Sequence, residues 1–194
     1  MERDGATRGR GRPRLAAIDD AIHAATWDVI ARAGYTGLTF EAVAEAAGCT
    51  RMSLYRRFSS KAELVGATMF AMSRAVEPVI PDDIAPLDAL MMHAQATVDY
   101  LSGDRGTAIL SLISASARSP ELRAISEEYE RGEREYFLEL FREMFPDSDA
   151  EQRHFAFDSY IGLMLQHVVI RRTPMTPEKL RIIIDSVLKL LAPA

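Results

Sequence analysis

Features that mark exported or membrane-spanning proteins are scarce in this sequence of 194 residues. It has a single cysteine, Cys49, so no intramolecular disulfide can form, which suits a reducing compartment. The N-terminal residues are basic and rich in glycine and lack the apolar segment of a secretory signal. The apolar runs are too short and too interrupted to cross a bilayer. We therefore expect a cytoplasmic protein with no membrane partner.

The sequence also lacks the residue patterns of an enzyme or a metal site. Its four histidines, His23, His93, His154 and His167, do not have the spacing of metal ligands, and Cys49 has no cysteine or histidine near it in sequence. No nucleophile–base arrangement, phosphate-binding glycine loop or pair of catalytic carboxylates stands out. We expect no enzymatic activity, no cofactor and no metal.

Charge is distributed unevenly along the chain. The formal net charge is −5, which by itself argues against a nucleic-acid partner. Residues 1–61, however, hold ten of the 23 basic and seven of the 28 acidic residues, which gives +3 there and −8 over residues 62–194. The positive field therefore lies on the N-terminal third, where a polyanion would bind, and the acidic remainder should face away from it.

Helical periodicity and capping residues predict a helix-turn-helix in that N-terminal third. An apolar stripe predicts a first helix over about residues 15–33, which Gly34 ends. Thr39 can cap a second helix, and Gly48 provides the backbone freedom that a tight turn between helices needs. Thr50 can then cap a third helix of about two turns.

The third predicted helix carries an unusual number of polar groups that can touch phosphates and base edges. They belong to Arg51, Ser53, Tyr55, Arg56 and Arg57. Few functions other than binding in the DNA major groove explain so many donors on one short helix. The alternative is a solvated polar face on a small helical domain.

Residues 1–14, MERDGATRGRGRPR, are predicted to form a flexible basic arm. The segment RGRGRPR is similar to an AT-hook core, in which arginines flank Gly-Arg-Pro. We expect Arg10, Arg12 and Arg14 to contact phosphates or the narrow minor groove of A·T-rich DNA. A disordered tail that adds unspecific affinity is the alternative.

The remainder of the chain is predicted to be helical throughout, which makes the fold class all-α. Ser60 and Glu63 form a capping-box pattern that opens a fourth helix, and Pro78 and Pro81 end it. A second capping-box pattern spans Ser148 to Glu151. Further helices are predicted over about residues 87–101, 108–117, 120–145, 148–172 and 177–191.

Over residues 15–65 the sequence resembles the TetR family of transcriptional regulators. Three segments carry the resemblance in the family's order and spacing: AIHAATWDVIARAGY, LTFEAVAEAAGCTRMSLYRRF and SSKAEL. Trp27, Cys49 and Met52 depart from the residues usual at those positions. The resemblance implies a helix-turn-helix head, a connector helix and a larger helical body.

The resemblance also implies which side chains meet DNA. Lys61 resembles the family's backbone-contacting lysine, and Thr39 lies where the second helix approaches the DNA backbone. Arg57 either contacts phosphate or packs beside its helix, and Tyr35 has the same two alternatives. The predicted DNA-contacting residues are Arg10, Arg12, Arg14, Thr39, Thr50, Arg51, Ser53, Tyr55, Arg56, Arg57 and Lys61.

The body of such a protein is expected to hold a ligand cavity and a dimer interface, although apolar stripes of this kind are more often core. The predicted cavity-lining residues are Met91, His93, Tyr100, Phe157, Tyr160, Met164 and His167. The last two helices are too apolar for isolated surface helices, and the resemblance implies a two-fold four-helix interface in place of intramolecular core. The predicted interface residues are Phe155, Ile161, Leu165, Val168, Ile183, Ile184, Val187 and Leu188.

Together these features predict an all-α homodimer with a basic arm over residues 1–14, a helix-turn-helix domain over 15–61 and a ligand-binding and dimerisation domain over 62–194. It would bind a palindromic operator in double-stranded DNA as a repressor and be released by a small apolar ligand. A transcriptional activator of the same fold and a ligand-binding protein without DNA affinity are alternatives. The second alternative calls for a neutralised third helix, and here the arginines remain.

Overall fold

The computed structural model describes residues 12–192, with side chains from residue 17 onward. Within that range the chain forms nine α-helices, one π-helical segment and no strand, which confirms the predicted all-α class. No helix in the same range combines the length and apolarity that a membrane crossing requires. The helices are α1 (Arg12–Gly37), α2 (Phe40–Ala46), α3 (Arg51–Tyr55), α4 (Lys61–Arg74), α5 (Pro86–Leu101), α6 (Asp104–Ser116), α7 (Pro120–Met144), α8 (Ala150–Met164), the π-helical segment (Leu165–Ile170) and α9 (Pro177–Leu188).

Helix α1 packs against the rest of the protein through one apolar face. Ile22, Val29 and Ile30 are buried, and the helix packs against α6, α2 and α4. At Gly34 the helix is interrupted, because the φ of 69° is a left-handed conformation that L side chains rarely adopt. The predicted end of the first helix is therefore a kink, which one further turn to Gly37 follows.

The fourth helix packs closely against α7. A Cβ added to Gly66 would lie 2.7 Å from Cγ2 of Ile125, so only glycine lets the two helices approach this closely. The predicted domain boundary between residues 61 and 62 falls at the first turn of α4. It stays a prediction, because the buried apolar side chains on both sides of it form one continuous core.

Aromatic side chains from α7 and α8 build the core of the C-terminal part. The Phe137 ring is fully buried and contacts Phe141, Phe157 and Tyr160 with ring centroids 4.9–6.2 Å apart. Two of these pairs are edge-to-face and the Tyr160 pair is stacked, both of which are favourable geometries. The Tyr160 hydroxyl donates to Thr97 Oγ1 of α5 at 2.8 Å, which joins α5 to this cluster.

Two predicted boundaries were wrong by a few residues. The first helix begins at Arg12 and not near residue 15, so the last residues of the predicted arm are helical, whereas residues 1–11 lie outside the described residues. The second capping box is formed by Asp149 and Gln152, one position later than predicted. The reason is that the Ser148 hydroxyl donates backwards to the Phe145 carbonyl at 2.6 Å and is not used as a cap.

The helix predicted over residues 148–172 changes its winding near its end. It is α-helical only to Met164, and the Arg171 N–H then donates to the Gln166 carbonyl at 2.9 Å, a bond that spans five residues. Val168 and Val169 in this segment are both buried. Hydrophobic spacing alone does not distinguish this winding from an α-helix.

Candidate nucleic-acid interface

The capped N-termini of α2 and α3, with the tight turn between these helices, determine the position of α3. Thr39 Oγ1 accepts the Ala42 N–H at 3.1 Å and begins α2, and Thr50 Oγ1 accepts the Ser53 N–H at 3.3 Å and begins α3. Between the two helices Gly48 has a φ of 63°, which a side chain would disfavour. Both predicted caps and the predicted glycine turn are confirmed.

The third helix turns one side to the core and the others to solvent. Leu54 is fully buried and anchors it, whereas Arg51, Met52, Tyr55 and Arg56 are exposed. The helix therefore offers guanidinium and phenol groups to an external partner without disturbing the core. Met52, which is 67% exposed, adds an apolar side chain to the same surface.

Arg51 is held across the helix-turn-helix by an ion pair that sequence analysis missed. Its Nη1 donates to Glu41 Oε1 at 3.1 Å, and the two side chains remain 65% and 52% exposed. A hydrogen bond from the backbone at the start of α2 and a second one from Arg51 hold the pKa of Glu41 below its ordinary value. Because so exposed a pair is weak, Arg51 can exchange the carboxylate for a phosphate or a base edge.

Arg57 is used inside the protein. Its Nε donates to Asp19 Oδ1 of α1 at 2.8 Å and its Nη1 to the Ser53 carbonyl at 2.9 Å, and its side chain is only 19% exposed. Of the two alternatives for Arg57, the structure displays packing beside the helix. Its neighbour Arg56 is exposed, and its side chain makes no hydrogen bond or ion pair with the residues whose side chains the structure describes.

Lys61, the first residue of α4, is placed by Tyr35. Its Nζ donates to the Tyr35 carbonyl at 3.1 Å and lies 4.2 Å from the centroid of the Tyr35 ring. Tyr35 is itself buried, and its N–H donates to Ser111 Oγ of α6 at 2.9 Å, so it packs between helices. Burial raises the pKa of the Tyr35 hydroxyl.

The N-terminus of α4 is fixed by a modified capping box. Ser60 Oγ accepts the Glu63 N–H at 3.1 Å as predicted, but Glu63 accepts from the N–H and hydroxyl of Ser59 and not from the Ser60 N–H. Ser60 Oγ also donates to Glu121 Oε1 at 2.5 Å. This bond ties the start of α4 to the first turn of α7.

The side chains of the three arginines predicted to contact DNA from the basic arm lie outside the described part of the structure. Arg10 lies outside the described residues. The backbone of Arg12 and Arg14 forms the first turn of α1, but their side chains are outside the described part of the structure. The proposed contacts of all three arginines stay predictions.

Several predicted cavity-lining residues are packed in the core. Phe157, Tyr160 and Met164 of α8 are almost fully buried, and Tyr100 of α5 is buried too. Met91, His93 and His167 are half-buried. Clefts of about 330 and 340 Å³ are present elsewhere, and no predicted lining residue belongs to either.

The predicted dimer residues divide into three groups by exposure. Val168, Ile183, Ile184 and Val187 are buried within the subunit, and Ile161, Leu165 and Leu188 are half-buried. Phe155 is 62% exposed, and Ile182, which the sequence analysis omitted, is 64% exposed. With Gly162 and Ser186, which are also exposed, these two side chains define what we call the α8–α9 face. Of the three consecutive isoleucines in α9, only Ile182 is on it.

Sequence analysis also did not identify the carboxyl group of Glu133, which lies in the body. Burial, and secondarily the charge of Glu130, raise the pKa of Glu133 on α7 to about 7. The residue lies near Thr97, whose hydroxyl already bonds to Tyr160 and to the His93 carbonyl. Nothing in the local sequence distinguishes Glu133 from the many exposed acids of α7.

No cluster of three potential ligands that could hold a metal occurs among the described residues. His23 Nδ1 lies 3.0 Å from Thr68 Oγ1, and burial lowers the pKa of this histidine. His23 therefore has the character of a packed structural side chain.

Comparison with known proteins identifies relatives in sequence and in fold. Residues 22–68, which contain the helix-turn-helix, match the family of bacterial regulatory proteins called the tetR family. The HTH-type transcriptional regulator YdeS of Bacillus subtilis is 29% identical over 120 residues, which cover 62% of this chain and 59% of YdeS. The match thus spans less than two thirds of that relative.

Two solved structures resemble the chain over almost its whole length. A transcriptional regulator from Pseudomonas aeruginosa PAO1 shares its fold with a TM-score of 0.73 and 15% identity, covering 93% of this chain and 91% of that one. The multidrug binding protein EbrR, complexed with imidazole, gives a TM-score of 0.59 and 25% identity, covering 91% of this chain and 96% of EbrR. The resemblance to solved structures therefore includes the helices that follow residue 68.

Proposed function

Because the chain belongs to the TetR family of transcriptional regulators, we propose that it binds a palindromic operator as a homodimer and represses transcription from the promoter that contains it. The protein is a regulator with a DNA-binding domain and not an enzyme. The observation that carries the proposal is the surface of α3, where Arg51, Tyr55 and Arg56 are exposed around the buried anchor Leu54. As a DNA-binding bacterial regulator it would act in the cytoplasm.

We assign different tasks to the cations of this surface. Arg51 leaves Glu41 to meet a base edge, since its guanidinium can make the bidentate contact that guanine offers. Arg56 and Lys61 meet phosphates, as do Tyr55 and the arginines of the arm, and they add affinity for any sequence. Arg57 positions α3 through Asp19 and does not touch DNA.

Selection of bound fragments from genomic DNA, followed by titration against salt, tests the DNA proposal. Arg51→Ala should relax the preference at one base position in each half-site, whereas Lys61→Ala should weaken all sequences alike and lower the salt slope by about one unit. Arg131→Ala, which removes an exposed charge in the middle of α7, is the matched control. A protein that binds no duplex at low ionic strength refutes the proposal.

The homodimer is supported by the α8–α9 face. Phe155 and Ile182 are large exposed apolar side chains, and a Cβ added to Gly162 would meet no atom within 4 Å. Small and large side chains on two helices suit a two-fold four-helix interface, in which a large side chain of one subunit packs over a small residue of the other and the reverse contact is repeated by symmetry. A monomer at micromolar concentration in light scattering would rule it out.

Release by a small ligand is the regulatory part of the proposal. The relative EbrR is described as a multidrug binding protein and was solved with imidazole, which supports a ligand-binding body in this chain too. A ligand that binds one head arrangement better than the other shifts the population towards the arrangement it prefers. Addition of candidate ligands to the protein–operator complex, with fluorescence anisotropy as the readout, measures that shift.

A further inference from the structure

Contacts within the helix-turn-helix draw two arginines away from the outer face of α3, which is the face opposite the buried Leu54. Arg51 is drawn towards α2 by its ion pair with Glu41. Arg57 is drawn towards α1, where Asp19 Oδ1 accepts from its Nε at 2.8 Å. These two arginines therefore flank the outer face and do not occupy it.

Two further side chains of α3 are also held by the protein. The Tyr55 ring meets the buried Phe40 ring of α2 edge-to-face, with the centroids 4.8 Å apart. The Ser53 hydroxyl lies 3.0 Å from Thr50 Oγ1, so a hydrogen bond joins the two hydroxyl groups. Both side chains are thereby fixed beside the outer face.

Met52 and Arg56 remain on the outer face. An α-helix turns by about 100° per residue, so each of these residues, two positions from Leu54, lies about 160° around the helix axis from that buried anchor. Met52 is 67% exposed, more than any other large apolar side chain of α3. Isolated apolar side chains are ordinary on protein surfaces, but this one lies at the outermost point of a surface that carries cations.

The neighbouring charges indicate what covers Met52. Arg51 directly precedes it, and Arg56 lies one turn later on the same face. An apolar protein partner would take both guanidinium groups out of water, which costs free energy unless each charge is paired. In the DNA major groove the guanidinium groups meet phosphates and base edges, and the groove also offers one apolar group, the C5-methyl of thymine.

We propose that Met52 is a specificity-determining residue, which packs against the C5-methyl group of a thymine in each half-site of the operator. This inference rests on the proposed function and adds a second base preference to that of Arg51. The unbranched, polarizable thioether chain adapts readily to such a contact. Because consecutive Cα atoms are about 3.8 Å apart and base pairs about 3.4 Å apart, the thymine lies within about two base pairs of the guanine that Arg51 reads.

Replacement of thymine by uracil tests the contact, because it removes the methyl group and keeps the hydrogen-bonding groups of the base. A duplex recovered by selection from genomic DNA is synthesised with one thymine at a time replaced by uracil, and its affinity is measured by fluorescence anisotropy. We expect one thymine in each half-site to respond, with a loss of about fourfold for one half-site and about fifteenfold for both. 5-Bromouracil, whose bromine fills the space of the methyl group, should restore the affinity.

Variants of Met52 assign the effect to this side chain. In Met52→Ala the thymine and uracil duplexes should bind equally well, whereas Met52→Leu, which keeps a large apolar side chain, should retain a difference of at least about twofold. Val79→Ala is the matched control, since it shortens an exposed apolar side chain in the loop between α4 and α5, and it should keep the full difference. Thermal melts of the variants should match that of the unmodified protein, because both positions are exposed.

Two results overturn the role of Met52. They are an operator in which no exchange of thymine for uracil changes the affinity, and a loss on exchange that Met52→Ala shows in full. In either case the proposed function stands if the duplex is still bound specifically and Arg51→Ala still relaxes the preference at one base position. Absence of binding to every duplex overturns both.

Discussion

Alanine substitution of Arg57 should lower the stability of the protein, whereas substitution of its neighbour Arg56 should weaken DNA binding. Arg57→Ala removes the ion pair with Asp19 and leaves the Ser53 carbonyl without its donor. Hydrogen bonds to charged groups contribute about 1.5–3 kcal/mol. Because the Asp19 side chain is 46% exposed, solvent screening reduces this contribution, and we expect a loss of about 1–2 kcal/mol. For a chain of this length that corresponds to a fall in Tm of about 2–8 °C.

Arg56→Ala removes the same charge one residue earlier but touches no described partner. Its effect on the free energy of unfolding should stay within about 0.5 kcal/mol, as for other exposed positions. It should, however, weaken DNA binding, because loss of one phosphate contact lowers the slope of log K against log salt by about 0.9. The two variants thus separate positioning of α3 from contact with DNA.

Thermal unfolding by circular dichroism and operator binding over a range of salt concentrations are measured on both variants. Asp19→Asn is the control, since it breaks the same ion pair while Arg57 keeps its charge, and it should reproduce the thermal loss without a change in salt slope. If Arg57→Ala leaves Tm unchanged and lowers the slope as Arg56→Ala does, then Arg57 faces DNA and the assignment of the two arginines is reversed.

Three further substitutions test other parts of the molecule. The pKa of Glu133 is raised to about 7 from its ordinary value of 4.5, so the folded protein prefers the protonated carboxyl and loses stability as pH rises between these values, by up to ~1.4 kcal/mol per pH unit. Glu133→Gln should reduce this loss in thermal melts at about pH 5 and pH 7.5. An equal change in Tm with pH in the variant and the unmodified protein would contradict the prediction. Ile182→Glu should convert the proposed dimer to monomer in light scattering, whereas Val79→Glu, at a still more exposed position in a loop, should not. Gly48→Ala should destabilise by about 1 kcal/mol through its positive φ alone, since the added Cβ meets no atom within 4 Å, and an unchanged Tm would show that the turn relaxes.

The elements that could be predicted from the sequence are those with local causes. A threonine or serine cap acts on an amide three residues later, so Thr39, Thr50 and Ser60 mark the starts of α2, α3 and α4 correctly. Gly48 reports a backbone conformation that depends only on that residue. The helix-turn-helix is dense in such local signals, which is why it was predicted better than the body.

The features that were missed depend on contacts between distant segments. Asp19 and Arg57 are 38 positions apart, and nothing near either residue indicates the other. In α9 three isoleucines follow one another, and only the angle at which the helix packs decides that Ile182 is exposed while Ile183 and Ile184 are buried. Apolar spacing predicts that such a helix exists, but it does not predict which of its apolar residues are buried.

The same dependence on packing links the DNA-binding surface to the body. Lys61 Nζ is positioned by the Tyr35 carbonyl, to which it donates one hydrogen bond, and its other two N–H groups are free to meet a phosphate; the Tyr35 N–H is in turn bonded to Ser111 of α6. One residue before Lys61, Ser60 is bonded to Glu121 of α7. A shift of α6 or α7 should therefore move the Lys61 ammonium group, and DNA that fixes this group should in turn restrain α6 and α7. Since coupling between two sites is reciprocal, a ligand in the body needs to alter only this junction by a fraction of an ångström to change operator affinity.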